Sequence, residues 1–296
     1  MIYRNARLIY NPNARSLQRR GGSIATSVPE ILRGQGCDVT LSPTARAGHA
    51  TTLAREAVES GADLVLAAGG DGTVNEVLNG MAGGAVPLAV LPAGTANVLA
   101  CELGLPRDPV RAAERLSGLT PRRIALGLLR AAGLPPRYFL LFAGVGLDAR
   151  IASDVEMAFK RRAGRLAYWW AGFAQLGKPV PEFTVRADGM EVRAGFALAS
   201  RVRNYGGDLE IAREASLFEN RFALVAFEGA SAWTYLRYLA GVALNRLPGM
   251  RGVALRHARR VEFAGERIPV QVDGELAGHT PAAVEIVPDA LTLLVP

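Results

Sequence analysis

Lysine and cysteine are almost missing from this chain of 296 residues. Of its 34 basic residues only Lys160 and Lys178 are lysine, a bias that nucleotide composition explains as readily as function does. Two cysteines, Cys37 and Cys101, cannot build a disulfide framework, and a reduced, cytosolic setting is the simpler reading. Long apolar runs are missing too. None approaches the roughly 18 residues that a membrane span needs, and the opening stretch MIYRNARLIYNP lacks the apolar core of a signal peptide. The three histidines lie far apart, and no Cys/His spacing suggests zinc. No Ser-His-Asp set stands out, and nothing resembles a nucleic-acid module. An integral membrane protein, a secreted mini-scaffold and a disordered chain are thereby excluded.

What is present is the composition of a globular chain with an ample core: 50% apolar and 21% charged residues. A net charge of +7 suits anionic partners, but charge alone does not choose between nucleotides, nucleic acid and acidic lipid surfaces. At roughly 150 residues per domain, the length predicts two domains.

The first third alternates strand and helix signals. Strands are expected at Arg7–Tyr10, Asp38–Leu41, Ala62–Ala68 and Val86–Leu91. Between them, helical patterns run over residues 16–33, His49–Ser60, Thr73–Met81 and Thr95–Leu103. Apolar strands between amphipathic helices imply a parallel sheet covered on both faces. Near residue 122 the pattern changes. Strand-like runs then dominate, among them Tyr138–Ala143, Glu191–Ser200, Ala283–Val287 and Leu291–Val295. Two helical segments interrupt them, about Gly164–Leu176 and Ser231–Leu247. Strand after strand predicts antiparallel sheets in a sandwich. The expected division is an α/β domain over residues 1–130 and a β-sandwich domain over 131–287.

The most informative stretch is AAGGDGTVNEVLNG at Ala67–Gly80. An apolar strand runs into Gly69, Gly70, Asp71, Gly72 and Thr73, and a helix follows at once. The glycines leave backbone uncovered, so a ligand can approach closely. The helix start offers unpaired N–H groups and a positive dipole end, which suit a phosphate. A carboxylate there, Asp71, makes sense holding a metal or orienting a hydroxyl. The plain alternative is a tight turn with Thr73 as N-cap. No Gly-Lys-Ser/Thr follows, so this is not a Walker A loop. LPAGTAN at 91–97 is a second loop of the same kind. Two such loops on neighbouring strands would open at one sheet edge, where open α/β sheets bind ligands. Asn11, Pro12 and Asn13 after the first strand and Thr44 after the second would line the same edge.

In sequence order these motifs are NPNAR at 11, TARAGHA at 44, GGDGTVNEVLNG at 69, LPAGTAN at 91, GVGLDA at 144, KRRAGRLAY at 160 and VDGE at 272. The set resembles the diacylglycerol kinase catalytic family, in the soluble bacterial lipid kinase branch that is related to sphingosine and ceramide kinases. The resemblance implies an N-terminal doubly wound α/β nucleotide-binding domain, like that of NAD kinase and phosphofructokinase. It also implies a C-terminal antiparallel β-sandwich domain for the lipid, and a last strand, about 288–296, that returns to the first domain. ATP and Mg2+ are the implied cofactors. Nucleotide contacts fall on Asn11, Pro12, Asn13, Ala14, Arg15, Thr44, Gly69, Gly70, Asp71, Gly72, Thr73, Val74, Asn75, Gly94 and Thr95. The family's proton acceptor falls on Glu275, with Asp71 and Asp273 as the acids that organise the cation or its water shell. Without the resemblance, Asp273-Gly274-Glu275 reads as an ordinary β-turn. Asp148 is the candidate for the lipid head group, a helix N-cap being the alternative. A structural Mg2+ site of the bacterial enzymes falls on Ser216, Glu219 and the Arg221 carbonyl.

Several positions depart from the family's pattern. Val98 and Ala125 stand where bacterial diacylglycerol kinases carry acids of a carboxylate network. Sphingosine-kinase-like relatives also lack the acid at position 98, so the departure favours a different lipid acceptor over a dead enzyme. Glu219-Asn220 replaces the usual Asp-Gly at the structural metal site, and Arg15 replaces a glycine. Lys160–Leu176 sets a basic cluster beside an aromatic stripe, which suits an anionic membrane surface or packing onto a sheet. Trp233, Tyr235, Leu236, Leu239 and Val242 pose the same choice, and core packing is favoured.

The resemblance implies a cytoplasmic ATP-dependent lipid kinase of phospholipid metabolism with a diacylglycerol-like acceptor. A sphingoid base, ceramide or monoacylglycerol is the nearest alternative. NAD kinase is another, because its superfamily shares the GGDG loop, and a silent lipid- or nucleotide-binding protein is a third. Peripheral contact with a membrane and a homodimer both stay open, and no nucleic-acid partner is expected.

Overall fold

The computed structural model describes residues 2–14, 23–146, 181–205, 209–229, 231–244 and 246–296. The chain divides into two compact units, residues 1–126 with 288–296, and residues 127–287.

In the first unit, strands β1 (Asn5–Tyr10), β2 (Asp38–Pro43), β3 (Leu64–Gly69) and β4 (Pro87–Pro92) alternate with helices α1 (Ser23–Gly34), α2 (His49–Glu59), α3 (Asp71–Met81), α4 (Val98–Glu102) and α5 (Pro109–Glu114). The sheet is parallel, in the order β2-β1-β3-β4. Every residue of β3 and β4 is buried, the pattern of central parallel strands covered on both faces. Leu8, Leu66, Ala89 and Leu91 form one core with Ile24, Val28 and Leu32 of α1 and Ala112 and Ala113 of α5. The order places a switch of direction between β1 and β3, since β2 lies to one side of β1 and β3 to the other. Helix α5 is an element beyond those expected, and its local signal is Asp108 as N-cap with Pro109 at the first helical position. Helix α4 starts at Val98 rather than Thr95, because Asn97 takes the left-handed conformation at φ 50°.

The strands of the second unit follow as β5 (Thr120–Ala131), which contains the boundary, β6 (Arg137–Phe139), β7 (Phe142–Gly146), β8 (Phe183–Ala187), β9 (Met190–Ala194) and β10 (Phe196–Ser200). After them come β11 (Asn204–Tyr205), β12 (Leu209–Glu210), β13 (Phe222–Phe227), helix α6 (Ala232–Ala243), β14 (Val253–Ala258), β15 (Arg260–Ala264), β16 (Pro269–Val272), β17 (Glu275–His279) and β18 (Ala282–Val295). One antiparallel sheet runs β14-β13-β10-β7-β16-β17. In the other, residues 282–285 of β18 pair with β15, then β8 and β9 follow. Side chains from both sheets, such as Val145, Ala197, Leu224 and Val272 against Val185, Phe263 and Val284, make a common core. This is an antiparallel sandwich. At the far end of β18, Thr292 and Leu293 pair in parallel with Pro87 and Leu88 of β4.

Two expected strands are split. Glu191–Ser200 breaks at Gly195, and its halves, β9 and β10, join different sheets. Tyr138–Ala143 breaks at Leu140 and Leu141, whose N–H groups turn to a side chain instead of a strand. Conversely, Ala283–Val287 and Leu291–Val295 are one strand that passes through Pro288. The segment Gly164–Leu176 lies outside the described residues.

Candidate active site

In the first unit the candidate residues gather at the carboxyl ends of the strands. Asn11 leaves β1 with its N–H donating to the Ala68 carbonyl of β3 at 3.2 Å, and Thr44 leaves β2 donating to the Tyr10 carbonyl at 2.9 Å. The Asn11 side chain accepts from the Asn13 N–H at 2.9 Å, and the Ala14 N–H closes the turn on the Asn11 carbonyl at 3.0 Å. Between this turn and the Gly69 loop lies the switch point of the strand order, the place where open α/β sheets bind ligands. Arg15 lies outside the described residues.

The Gly69 and Leu91 loops form one hydrogen-bonded body. Gly69 offers its carbonyl to the N–H groups of Ala93 at 2.8 Å and Gly94 at 3.1 Å. A Cβ on Gly94 would stand 2.4 Å from the Gly70 Cα, and one on Gly69 would stand 2.4 Å from the Thr73 Oγ1. So Gly69 and Gly94 are required by neighbouring protein. Helix α3 begins at Asp71 with Gly70 as an extended N-cap; Thr73 lies within the first turn and does not cap. The Asp71 carboxylate accepts from the N–H of Val98 at 3.1 Å and of Leu99 at 3.2 Å, the donors that open α4 and lack helical partners. Asn97 bonds both the N–H and the carbonyl of Gly94. Val74 and Asn75 are buried, whereas Gly72 and Thr73 are half-buried and Thr95 is exposed. Glu76, which continues the motif, caps α2 by accepting from Gly48 at 2.8 Å and Ala50 at 3.0 Å. Gly80 lets the same two helices touch, since a Cβ there would meet the Thr51 carbonyl at 2.4 Å.

The second unit holds the other acids. Asp273 and Gly274 have φ of 49° and 87°, and they join β16 to β17 with Val272 opposite Glu275. This is the two-residue Asp-Gly hairpin whose sense of twist fits the strands. Asp273 is 7% exposed. Its carboxylate accepts three backbone N–H groups, from Leu140 at 2.9 Å, Leu141 at 2.8 Å and Phe142 at 3.1 Å. Arg201, 0% exposed, donates to the Leu217 carbonyl at 2.6 Å. Burial pulls its guanidinium down to about 10, and the charge of Asp273 works against that fall. The Gly274 N–H donates to the side chain of the wholly buried Gln271 at 2.8 Å. Glu275 remains half-exposed, with Oε2 2.5 Å from Arg137 Nη2.

Elsewhere, Ser216 accepts from the Phe218 N–H at 3.2 Å and Glu219 donates its N–H to the Ser216 carbonyl. The Glu219 carboxylate pairs with the Arg221 side chain. Ser216, Glu219 and Arg221 thus share one turn. Among the described residues no group of three or more His, Cys, Asp or Glu side chains stands ready for a metal. Asp148 and Lys160–Leu176 lie outside the described residues, as do the side chains of Trp233, Leu236 and Leu239. Tyr235 and Val242 are buried, as expected. Val98 and Ala125 are 5% and 2% exposed, so an acid at either position would be buried. Residue-by-residue reading missed Arg137 and Arg201. Only Gln271, a polar residue inside an apolar strand, carried a local signal.

Comparison with known proteins covers both units. Residues 5–129 match the family model "Diacylglycerol kinase catalytic domain", and residues 142–295 match "YegS C-terminal NAD kinase beta sandwich-like domain". The chain is 30% identical over 286 residues to a diacylglycerol kinase of Bacillus subtilis, covering 94% of this chain and 92% of the relative. It is 31% identical over 271 residues to a diacylglycerol kinase of Mycobacterium tuberculosis, covering 90% and 87%. A probable YegS-like lipid kinase of Chromohalobacter salexigens is 30% identical, over 92% and 90%. In fold, the chain is similar to the crystal structure of a putative diacylglycerol kinase from Bacillus anthracis. The TM-score is 0.80, with 22% identity and 100% and 98% of the two chains covered.

Proposed function

The chain belongs to the diacylglycerol kinase catalytic family, a family of lipid kinases, and from that premise we propose that it moves the γ-phosphoryl group of ATP to the primary hydroxyl of a diacylglycerol-like lipid. The observation that carries this reading is the contrast among the three candidate acids. Asp71 and Asp273 spend their carboxylates on backbone N–H groups. Glu275 holds its carboxylate half-exposed beside the Asp273-Gly274 turn, paired with a side chain, Arg137, and not with backbone, and in this reading a substrate hydroxyl meets it there.

The Asn11–Ala14 turn, Thr44 and the Gly69–Asn75 and Leu91–Asn97 loops are the nucleotide cradle of this reading. The start of α3, at Asp71 after the Gly70 N-cap, would turn its N–H groups to the phosphates. Asp71, the carboxylate of the cradle, whose oxygens already accept two backbone N–H groups, would hold a Mg2+ through water. The cation supplies charge neutralisation on the phosphates. In the transfer itself the lipid oxygen bonds to the γ-phosphorus as the bond to the β,γ-bridging oxygen breaks, ADP departs, and Glu275 receives the hydroxyl proton. Phosphoryl transfer demands little covalent chemistry from a protein and much positioning, which suits acids fixed by backbone. Asp273 and Asp71 are, in this reading, positioning residues.

No helix among the described residues is long and apolar enough to cross a membrane, and the lipid would be met at a bilayer or micelle surface. The apolar residues Val98 and Ala125, where an acid could stand, support as a second reading a sphingoid base or ceramide as acceptor.

The test is transfer of labelled γ-phosphate from Mg2+-ATP to diacylglycerol, monoacylglycerol, sphingosine and ceramide in mixed micelles, with NAD as a soluble control. Label on diacylglycerol that disappears in Glu275→Ala and Asp71→Ala is expected. Label on NAD alone, or none on any acceptor with ATP still bound, refutes the reading.

A further inference from the structure

We propose that Arg137 is the positioning residue of the transfer: it holds the Glu275 carboxylate in the orientation that receives the hydroxyl. The inference rests on the reading of Glu275 given above.

Arg137 opens β6, opposite Leu129 of β5 in a hairpin. The six residues from Arg137 to Phe142 grip the acidic turn twice. At one end the N–H groups of Leu140, Leu141 and Phe142 bind the Asp273 carboxylate, and the Phe142 carbonyl takes the Asp273 N–H at 3.0 Å. At the other end Arg137 Nη2 meets Glu275 Oε2 at 2.5 Å. The backbone beneath Glu275 is therefore set by the first grip and by Gln271.

The side chain is a separate matter. Glutamate has three rotatable bonds, and ordering such a chain carries an entropic cost. Among the described residues, Arg137 is the side chain that bonds its carboxylate. The side chains are 28% and 36% exposed, so the pair is partly withdrawn from solvent and is more than a loose surface contact. Its geometry also engages one carboxylate oxygen and leaves the other: among the described residues Oε1 has no such partner. An arginine suits the task because it is always charged, and its single contact through Nη2 is one that the ammonium of a lysine can also make.

Misplacing a reacting group by about 1 Å can cost on the order of 100-fold in rate. Three variants, Arg137→Gln, Arg137→Lys and Glu275→Gln, would be compared with the parent chain in the mixed-micelle assay, using the best-labelled lipid of the four. For Arg137→Gln the expected result is a fall in kcat of about 30-fold, with the KM for ATP and for lipid within about twofold and Tm within about 2 °C. Arg137→Lys, which keeps the charge but not the fork, should recover kcat to within about fivefold of the parent. Three results overturn the inference: kcat within about twofold in Arg137→Gln, a tenfold rise in the KM for ATP at constant kcat, or no rescue by lysine. The second of these would make Arg137 a phosphate contact. Glu275→Gln separates the two levels of argument. If it keeps parental turnover, the acceptor reading fails; if it loses turnover while Arg137→Gln does not, only the positioning inference fails. No turnover by the parent chain on any of the four lipids removes both.

Discussion

Replacing Asp273 by asparagine removes one charge and turns one acceptor oxygen into a donor, with almost no change in volume. In the parent, Oδ1 accepts from Leu141 at 2.8 Å and Phe142 at 3.1 Å, and Oδ2 accepts from Leu140 at 2.9 Å. Bonds to charged groups contribute about 1.5–3 kcal/mol and neutral ones about 0.5–1.5. Each bond that survives on Oδ1 therefore weakens by about 1 kcal/mol. The amide NH2 would face the Leu140 N–H, and a buried donor left unsatisfied costs about 1–3 kcal/mol. The loss comes to about 4 kcal/mol, before the buried Arg201 is counted without the opposing charge that Asp273 now supplies. For a domain of this size each kcal/mol moves Tm by about 2–4 °C, so a drop of roughly 10 °C in the second unit follows. Circular dichroism would follow the melt, and amide exchange would show faster exchange at Leu140, Leu141 and Phe142. Glu275→Gln, at a half-exposed ion pair, should cost within about 1 kcal/mol while abolishing turnover. The reasoning is refuted if Asp273→Asn melts within about 2 °C of the parent and still loses turnover. Asp273 would then act on substrate or cation rather than on the backbone.

Other outcomes follow from the same geometry. Gly94→Ala drives a Cβ against the Gly70 Cα, so a loss of about 1–3 kcal/mol with weaker ATP binding is expected by calorimetry. Gly118→Ala, with open space around it, should stay within about 0.5 kcal/mol. Glu76→Gln weakens the cap on α2 by about 1 kcal/mol, and an unchanged kcat would show that its place in the motif is structural. Burial first, then Tyr238 and Glu182, raise the Tyr235 phenol well above its usual 10.0. Unfolded Tyr235 sheds its proton near pH 10 while the folded residue keeps it, so this stability is full below pH 10 and falls as pH rises further. Tyr235→Phe loses the bond to the Gly229 carbonyl, 3.0 Å long and worth about 1 kcal/mol. It should also flatten the decline in urea midpoint above about pH 10.

The chain's local patterns carried much of the answer. Continuous apolar runs such as Leu64–Gly69 and Pro87–Pro92, spaced by amphipathic helices, identify a buried parallel sheet because only a strand covered on both faces tolerates that composition. The shift to closely spaced strands after residue 122 identifies the antiparallel part. The ordered motifs identify the family, and the Gly-rich strand-to-helix turns place the candidate loops at one sheet edge.

Local pattern also has a definite limit. Periodicity within Glu191–Ser200 is the same whether its halves join one sheet or two, and only the packing around Gly195 divides them. The partners of the three acids are not encoded near them. Asp71 reaches a backbone N–H 27 positions away, Asp273 one 133 positions away, and Glu275 an arginine 138 positions away. Residue type shows that a carboxylate is available. Whether it is spent on backbone or left for chemistry depends on which N–H groups the fold carries to it. Sequence alone thus determined the class, the family and the candidate acids, and tertiary structure decided how each carboxylate is held, because a hydrogen bond is satisfied by proximity in space and not in sequence.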